Sequence, residues 1–572
     1  MNTRKPMAFA ALCAATCAFG AFERTIPSTD GMGDVVALTN ALAELNALSK
    51  ASGGGDTLNA RIYLSPGLYD LKGVRMAADS HLRIEHARNL VFAGLGDGPS
   101  DTVLLGGGEA DGCRVISGAG GGNYWWNTYS NLTVTGGWMS GSGAGIYSGS
   151  LATRYVCLIV SNNVSTATER YMEGGGVCGG VAERCLFADN RAGIAGGAFG
   201  PKAMAKVPPG SDEPSVRAYA TDCTFSNNQV TASYSSAYGG GAVTGGTYTR
   251  CRFYGNRSAT YGGAVGRSEQ CPSAVLIDCE LVGNVAKTSG GAVYRAVAMT
   301  NCTLVGNSLS GWGYGGAIEA DASSPTKAVG CVFTGNAAAL GCVGRNVDFT
   351  DCVITNHQGT HALLDANLTR CYVADNVSSE SSAVLDYVSS ANSRTNANCV
   401  FVGNRQSNYG PLSGAKVIVN CAYFDNAYGN SNYSPLFSVD ALVYNSVFAG
   451  NMINGGTPCD IRTSGNGWEG RYPTLVNCVF ATTDGDVEGV ASYTDCRQMA
   501  RERLRYTKRD ASRPLMPSRR SPLYNGGYEA DWLLALVGDK DFYGRTRQLF
   551  ERIDIGPAEC DIKPTGMIVL VK

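Results

Sequence analysis

The pattern Cys-x-apolar-x-x-Asn recurs along most of this chain and restricts its fold more than any other sequence feature. Successive cysteines lie about 19 to 38 residues apart, which is the spacing of a solenoid repeat. The 572 residues therefore need not form several domains, because one repeat array can occupy most of them. The cysteines of the pattern are Cys157, Cys185, Cys223, Cys251, Cys279, Cys302, Cys331, Cys352, Cys371, Cys399 and Cys421. The asparagines that follow the first of them are Asn162, Asn190, Asn228, Asn256, Asn284, Asn307 and Asn336.

A second motif, Gly-Gly-Ala followed by a large apolar residue, separates many of these units. Its clearest copies begin at Gly196, Gly240, Gly262, Gly290 and Gly315. The 75 glycines follow no strict Gly-x-x period, so a collagen helix is excluded. A glycine pair supplies positive φ and lets two backbones approach closely, and the motif therefore predicts a corner of the chain in each unit.

The two motifs together predict a stack of β-strand coils. A cysteine and the apolar residue two positions later point to the same side of a strand. Equivalent residues of successive coils then lie about 4.8 Å apart, and a buried thiol packs as a small apolar side chain. An asparagine that ends the strand tolerates the left-handed conformation and can pass amide hydrogen bonds along the stack. We predict an all-β fold, a single parallel β-helix, with the cysteines and asparagines as structural ladders.

The cysteine file has an alternative interpretation as a metal or redox site. Zinc sites use ligands at short fixed spacings such as Cys-x-x-Cys, which the chain lacks. A dry interior without charged partners also leaves thiols inert. The file is therefore predicted to be packing, with no cofactor and no metal. The pairing of Cys113, Cys271, Cys459, Cys496 and Cys560, which lie outside the pattern, stays open.

The two ends of the chain differ from the repeats. Residues 1–20 have a charged start and a short apolar core, typical of a signal peptide, and predict a secreted or cell-surface protein. Residues 21–130 are predicted to form a cap and the first coils, with an amphipathic capping helix over residues 31–50. Coils are expected over residues 131–500, and residues 501–572 form an irregular closing segment. No later stretch is apolar for long enough to predict a transmembrane helix.

Charge narrows the possible partners. The formal net charge of −2 argues against nucleic acid as a partner. The basic residues of segment 501–520 could form an anionic-glycan patch, but a solvated closing segment is the favoured interpretation because few aromatic residues accompany them. Carbohydrate or other cell-surface ligands remain the expected partners, and we expect a monomer.

Three groups of residues resemble known protein families. The Gly-Gly-Ala-Ile/Val and Phe-x-x-Asn tetrads resemble the passenger repeats of the chlamydial polymorphic outer-membrane proteins. Residues 63–69, after the predicted helix, resemble the opening of right-handed parallel β-helix proteins with the pectin-lyase-like fold. Residues 521–527, 541–547 and 554–559 are similar to the end of exported β-helix proteins called choice-of-anchor Q. The resemblance implies a right-handed coil displayed outside the cell, as in an adhesin at the outer membrane.

The same fold carries lyases, hydrolases and surface proteins, so the site has to decide the function. If the protein were a polysaccharide lyase, the resemblance would imply calcium-binding carboxylates and an arginine base on one strand face. A hydrolase would need two carboxylates a few ångströms apart. Glu319 and Asp321, two positions apart after a Gly-Gly-Ala-Ile motif, could face the same side of a strand, although ordinary surface carboxylates would look the same.

One coil departs from the pattern. His357 takes the place of the ladder asparagine, His361 takes the place of the second glycine, and Asp365 follows. Such departures are sometimes functional sites, and a histidine pair near a carboxylate could act as a general base or bind a metal. Gradual decay of the motifs toward the C-terminus is the favoured explanation.

Two functions therefore remain. The first is a non-catalytic surface β-helix for adhesion or glycan contact, because most of the chain consists of structural repeats. The second is a polysaccharide lyase or glycoside hydrolase acting on an extracellular, anionic polysaccharide, with calcium as a possible cofactor under the lyase alternative alone.

Overall fold

Four parallel β-sheets run along the molecule, and each turn of the chain contributes strands to them in the same order. The fold is seen in a computed structural model, which describes residues 22–561 apart from 52–58, 86, 88, 120–125, 149–151, 170–171, 201–218, 233–238, 268–272, 379–383, 388–393, 407–411, 429–435, 438–439, 454–455, 461–472, 482–491, 507–513 and 548–551. The predicted signal peptide and Cys271 lie outside these residues.

Sheets I and II form two faces of each coil and meet at a short turn. The strands of sheet I are Phe22–Ile26, Asn59–Leu64, Asn89–Gly94, Thr128–Ser130, Arg154–Val156, Val181–Glu183, Tyr219–Thr221, Thr247–Thr249, Val275–Ile277, Ala298–Thr300, Thr326–Val329, Val347–Thr350, Asn367–Thr369, Thr395–Ala397, Val417–Val419, Leu442–Tyr444, Thr474–Val476 and Ser492–Thr494. Those of sheet II are Ser28–Thr29, Met32–Gly33, Gly67–Asp70, Thr102–Leu105, Thr133–Thr135, Ile159–Ser161, Leu186–Ala188, Thr224–Ser226, Arg252–Tyr254, Glu280–Val282, Thr303–Val305, Val332–Thr334, Val353–Thr355, Tyr372–Ala374, Val400–Val402, Ala422–Phe424, Val447–Ala449, Val479–Phe480 and Arg497–Gln498.

Sheets III and IV complete the coil on either side of the Gly-Gly corner. The strands of sheet III are Trp138–Met139, Val164–Ser165, Arg191–Ala192, Gln229–Val230, Arg257–Ser258, Val285–Ala286, Ser308–Leu309, Gln358–Gly359, Val377–Ser378, Arg405–Gln406, Ala427–Tyr428, Met452–Ile453 and Thr457–Pro458. Those of sheet IV are Ser80–Glu85, Arg114–Ala119, Ile146–Ser148, Val177–Cys178, Phe199–Gly200, Val243–Thr244, Val265–Gly266, Val293–Tyr294, Ile318–Glu319, Gly344–Arg345, His361–Leu364 and Val384–Tyr387.

Nearly all strand pairs are parallel and join one coil to the next, as in the pairing of Leu186–Ala188 with Thr224–Ser226. Crossovers between parallel strands are right-handed as a rule. The chain is thus a single right-handed parallel β-helix, as the repeats and the resemblance predicted. Files of large side chains fill the interior, and in one of them the rings of Phe187, Phe225 and Phe253 stack with centroids 4.9 Å apart.

The cysteine ladder lies in this interior from Cys185 onward. Consecutive coils place each thiol beside the next, so that the amide of Cys185 lies 3.4 Å from the sulfur of Cys223. Burial raises the pKa of the Cys371 and Cys399 thiols well above the ordinary value. Cys496, which stands outside the sequence pattern, ends the file, where its sulfur accepts the amide of Cys478.

The prediction for Cys157 is wrong by one residue. Ile159 pairs with Leu186, so Leu158 takes the place of the ladder cysteine, and its amide donates to the sulfur of Cys185. Cys157 has a φ of 53° and lies at the turn outside the interior file. A shift of one residue along a strand moves a side chain to the opposite face, and two adjacent apolar residues allow that shift in a sequence alignment.

The asparagine ladder starts one residue later than the pattern suggested, at Asn163. In most coils the ladder asparagine donates its backbone N–H and its side-chain NH₂ to the Oδ1 of the next coil, at 3.0 and 2.9 Å between Asn256 and Asn284. The NH₂ also donates to an interior carbonyl, that of Phe225 for Asn256. The left-handed conformation was predicted for the asparagine itself, but the residue before it adopts φ near 54°, as at Asn227.

Four helices accompany the sheets in the described residues: Val35–Ala51, Asp531–Val537 and the 3₁₀ turns Gly108–Ala110 and Arg501–Leu504. The first is the predicted cap, started by Asp34, whose Oδ1 accepts the amide of Ala37 at 2.8 Å. It buries Leu38, Leu42 and Leu45 but leaves Leu48 exposed. None of these helices is long and apolar enough to cross a bilayer.

The closing segment runs along the flank of the last coils. Asparagines at the turn between sheets I and II donate to it, as Asn445 does to the carbonyl of Tyr528 at 2.9 Å and Asn477 to that of Gly526 at 2.6 Å. A buried ion pair joins Arg547 to Glu559 at 2.5 Å, and Arg547 also donates to Asn398. The segment thereby covers apolar side chains on the outer face of sheet II.

Candidate functional site

The residue directly after each Gly-Gly-Ala-Val/Ile motif points outward from sheet IV. In two neighbouring coils this position is Tyr294 and Glu319, and in the next coil, where the motif has degenerated, Arg345 pairs with Glu319 in the same register. The position before the glycines forms a parallel file beside it, where Tyr261, Ser289 and Tyr314 follow one another. The repeat therefore brings polar and aromatic residues from separate coils onto one face. We call the following group the Glu319 cluster: Tyr261, Arg267, Tyr294, Arg295, Tyr314, Glu319, Asp321 and Arg345.

Glu319 is the most buried carboxylate of this cluster, with 14% of its side chain exposed. Its Oε1 lies 3.6 Å from Nη1 of Arg345. Its Oε2 is buried and makes no hydrogen bond of ordinary geometry with the described residues. Burial raises the pKa of Glu319, and the Ser289 hydroxyl and then the guanidinium of Arg345 act in the opposite direction. The carboxyl group is therefore easier to protonate than one in water.

Asp321 faces the same side as Glu319, which agrees with the spacing of two residues along a strand. Its Oδ1 accepts an ion pair from Arg295 at 2.9 Å, and its Oδ2 lies 4.0 Å from Arg267. These three residues, with Ser273 and Ser324, line a depression of about 190 Å³. Arginine thus neutralises each of the two carboxylates.

Aromatic rings fix the arginines of the cluster. Tyr261 and Tyr294 stack with ring centroids 4.5 Å apart, and the guanidinium of Arg295 lies 4.9 Å above Tyr294. Arg345 lies 4.0 Å above the ring of Tyr314. Cation–π contacts of this kind hold a guanidinium in place without using its N–H donors.

Three buried polar atoms of the cluster have no hydrogen-bond partner among the residues that the structure describes: Glu319 Oε2, Arg295 Nε and Arg345 Nε. Buried polar groups are nearly always hydrogen-bonded, so each exception asks for an explanation. Three such atoms on one surface give it hydrogen-bonding capacity that a polar ligand can meet. The arrangement can bind an anionic group through its guanidinium groups, stack a ring on its tyrosines and transfer a proton at Glu319.

His357 belongs to the asparagine ladder. Its Nδ1 accepts the amide of Asn336 at 3.0 Å, its Nε2 lies 3.2 Å from the carbonyl of Phe333, and its amide donates to Asn376 at 3.1 Å. The imidazole thus makes the contacts that the amide of an asparagine makes in other coils. Burial lowers its pKa to about 4. With 1% exposure it is unavailable to a substrate, and the interpretation of His357 as a catalytic base is wrong.

His361 and Asp365 lie at other places in the same coil. His361 pairs with Val384 in sheet IV, and its carbonyl accepts the amide of Cys342 at 2.8 Å. Asp365 is buried at the end of that strand with a φ of 53°. His357 is buried in the ladder and therefore does not share an exposed site with His361 and Asp365.

Calcium does not fit the Glu319 cluster. Both carboxylates face guanidinium groups, whose positive charge repels a cation. Throughout the part of the chain that the structure describes, no three His, Cys, Asp or Glu side chains come together as metal ligands. We therefore derive no chemical step through a metal.

Glu319 and Asp321 were predicted from the sequence, but the tyrosines and arginines around them were not. The signal was present for Tyr294 and Glu319, which directly follow the apolar residue of the Gly-Gly-Ala motif, whereas Arg345 follows Gly344 and joins them through the strand register. Reading that position down successive coils would have brought the cluster together.

Comparisons with known proteins leave the function open. No protein-family profile and no curated protein matches the chain. Among solved structures, the A-module of the mannuronan C-5 epimerase AlgE6 of Azotobacter vinelandii is 14% identical, with coverage of 82% of this chain and 96% of that chain and a TM-score of 0.24. A mannuronic acid specific polysaccharide family 6 lyase from human gut microbiota is 9% identical, with coverage of 81% and 87% and a TM-score of 0.30. A PL6 alginate lyase in complex with a trisaccharide is 10% identical, with coverage of 84% and 85% and a TM-score of 0.19. These proteins are polysaccharide-active enzymes, but TM-scores this low carry no functional argument. The resemblance to the chlamydial and choice-of-anchor-Q proteins stays a prediction.

Proposed function

We propose that the protein is an exported β-helix that binds an extracellular polysaccharide through the Glu319 cluster. The observation that carries this proposal is the set of unpartnered polar atoms on Glu319, Arg295 and Arg345, on one outward face beside stacked tyrosines. A ligand that supplies hydrogen-bond partners to these atoms removes the cost of burying them alone.

A sugar chain has the chemistry that this surface needs. Its hydroxyl groups can donate to Glu319 Oε2 and accept from the arginine Nε atoms. An acidic sugar adds a carboxylate, which guanidinium groups bind with particular strength. The tyrosines of the cluster supply flat, amphipathic contact area at its edge.

The proposal is tested by measuring the affinity of the purified protein for a panel of acidic and neutral polysaccharides. Arg345→Gln should weaken binding of the ligand found about tenfold, because it removes a charge-assisted contact. Arg250→Gln is the matched control, since Arg250 is an exposed, ion-paired arginine on a different face. Equal affinity of the Arg345 variant and the control would refute the role of the cluster.

Cleavage of the bound polysaccharide is a second candidate, favoured by the raised pKa of Glu319 and the ion-paired Asp321 beside it. Glycoside hydrolysis uses one protonated and one ionised carboxyl group. Glu319 would donate a proton to the leaving glycosidic oxygen, and the carboxylate of Asp321 would accept a proton from the water that attacks the anomeric carbon, so that a bond to the water oxygen replaces the glycosidic bond. New reducing ends that the wild-type protein produces and Glu319→Gln does not would establish hydrolysis. Unsaturated ends would instead indicate a lyase.

Export, surface display and a monomeric state belong to the same proposal. They rest on the sequence of residues 1–20 and on the single rod. Cell fractionation and light scattering of the purified protein test them directly.

A further inference from the structure

A second surface, on sheet III, carries positive charge without a counter-charge. The outward residue of each sheet III strand pairs with the same position in the next coil. The sheet III stripe defined in this way consists of Trp138, Val164, Arg191, Gln229, Arg257, Val285, Ser308, Ala337, Gln358, Val377, Arg405, Ala427 and Met452. The stripe contains no acidic residue over a length of roughly 55–60 Å.

The arginines of this stripe differ from those elsewhere on the rod. Arg250 pairs with Asp222 at 2.7 Å and Arg501 with Asp425 at 2.5 Å, as exposed arginines commonly do here. Within the described part of the chain, Arg191, Arg257 and Arg405 make no ion pair. They are exposed, and Arg191 and Arg257 lie two coils apart, at about 10 Å. At physiological salt this is close to the screening length, so the two charges act on a ligand together.

A depression of about 420 Å³ lies at the start of the stripe. Its lining includes Trp138, Arg191, Ser165, Thr166, Thr168 and Thr231. An indole ring, a free guanidinium and threonine hydroxyl groups are a combination that binds an acidic sugar. The ring stacks on the C–H face of the sugar, and the guanidinium binds its anionic group. The hydroxyls of Thr166 and Thr231 donate to the carbonyls of Met139 and Ala192, so toward the sugar they act as acceptors. The volume lies within the usual range of about 300–1,000 Å³ for small-ligand sites.

We infer that the sheet III stripe is a second glycan-binding surface, on which an acidic sugar unit occupies the Trp138–Arg191 depression and the rest of a linear acidic chain continues toward Arg257. Sheets III and IV lie on either side of the Gly-Gly corner, so this surface is separate from the Glu319 cluster. Its ligand chemistry is a sugar that carries a carboxylate or a sulfate ester. The inference does not depend on the proposed function of the Glu319 cluster.

The experiment measures affinity for polygalacturonate and for dextran sulfate, with galactan and dextran as their uncharged counterparts. The variant Arg191→Gln/Arg257→Gln should lose about tenfold or more in affinity for the charged ligands, since it removes two charge-assisted contacts. Arg154→Gln/Arg250→Gln removes the same charge from exposed arginines elsewhere and should change the affinity little. Preference for polygalacturonate identifies a carboxylate as the recognised group, and preference for dextran sulfate identifies a sulfate ester.

Further variants separate this surface from the Glu319 cluster. Arg345→Gln should leave the contribution of Arg191 and Arg257 to binding intact. Trp138→Ser should weaken binding, and Trp138→Phe should restore it. Equal losses in the two double variants would overturn the inference, as would an absence of binding to either charged glycan. Single-stranded DNA that binds as tightly as the glycans would also overturn it, because the stripe would then recognise polyanions without regard to sugar.

Discussion

The imidazole of His357 should make the stability of the rod depend on pH in a way that an asparagine would not. Its pKa is about 4 in the folded protein, against an ordinary value of 6.5, because it is buried in the ladder. At pH values between these two pKa values, the histidine is protonated in the unfolded chain and neutral in the folded chain. Stability is therefore fully present above about pH 6.5 and is lost as the pH falls through this window.

The size of this loss follows from the difference of about 2.5 pH units between the two pKa values. At about 1.4 kcal/mol per unit, the loss amounts to about 3 kcal/mol by pH 4. His357→Asn removes the titrating group and restores the side chain that neighbouring coils carry at this position, Asn336 and Asn376. The variant should match the wild type at pH 8 and exceed it by about 3 kcal/mol at pH 4.

Hydrogen exchange measured by mass spectrometry gives a local readout. Peptides that cover residues 331–376 should exchange faster in the wild type than in His357→Asn at pH 4.5, and at the same rate at pH 8. Peptides over residues 223–256, where the ladder contains asparagine alone, are the internal control and should not differ between the two proteins. If both proteins lose protection around residue 357 in parallel as the pH falls, the account of His357 as a neutral ladder member is refuted.

Three further predictions concern the packing of the coil. Gly291→Ala should destabilise the rod by several kcal/mol, because the added Cβ would clash with the Gly316 carbonyl. The Cβ of Gly283→Ala meets no other atom, and this variant should cost about 1–2 kcal/mol because of its φ of +62°. Urea unfolding compares the two variants, and equal costs would contradict the close approach of the backbones at the corner. A thiol reagent applied to the native protein should modify Cys157 before Cys371 and Cys399, because the latter two are buried and have raised pKa values. Mass spectrometry measures the rates of modification. Equal rates would mean that water reaches the interior cysteines. Arg547→Ala leaves Glu559 buried without its partner, at a cost of about 3–5 kcal/mol. Limited proteolysis should then cut the closing segment, while the coils before residue 398 stay resistant. Unchanged resistance of the segment would show that its apolar contacts are sufficient to hold it in place.

The repeats made the fold predictable because each coil poses the same packing problem. The interior files from Cys185 onward follow from side-chain alternation, and Glu319 and Asp321 share a face for the same reason. The error of one residue at Cys157 arose because the apolar Leu158 follows it directly. Side-chain alternation alone does not show which of the two residues faces the interior. The arginines and tyrosines of the Glu319 cluster come from neighbouring coils, so they become visible only when the coils are aligned.

The path of the closing segment could not be predicted in the same way. Its contacts join residues 398–477 to residues 526–559 through single hydrogen bonds of asparagine side chains, with no period to reveal them. The role of His357 was also misjudged from sequence. A histidine that interrupts a pattern suggests chemistry, whereas its two ring nitrogens reproduce the acceptor and donor of an amide.

The asparagine ladder also bears on how the length of such a rod can change. Every amide needs an acceptor one coil ahead and a donor one coil behind, and any coil with the same residue meets both needs. Excision of one whole period, such as residues 257–284, would bring Asn256 next to Asn307 with the same bonding. The number of turns is consequently an adjustable dimension, and a shorter or longer relative could be built by duplication or loss of complete periods without any redesign of its interior.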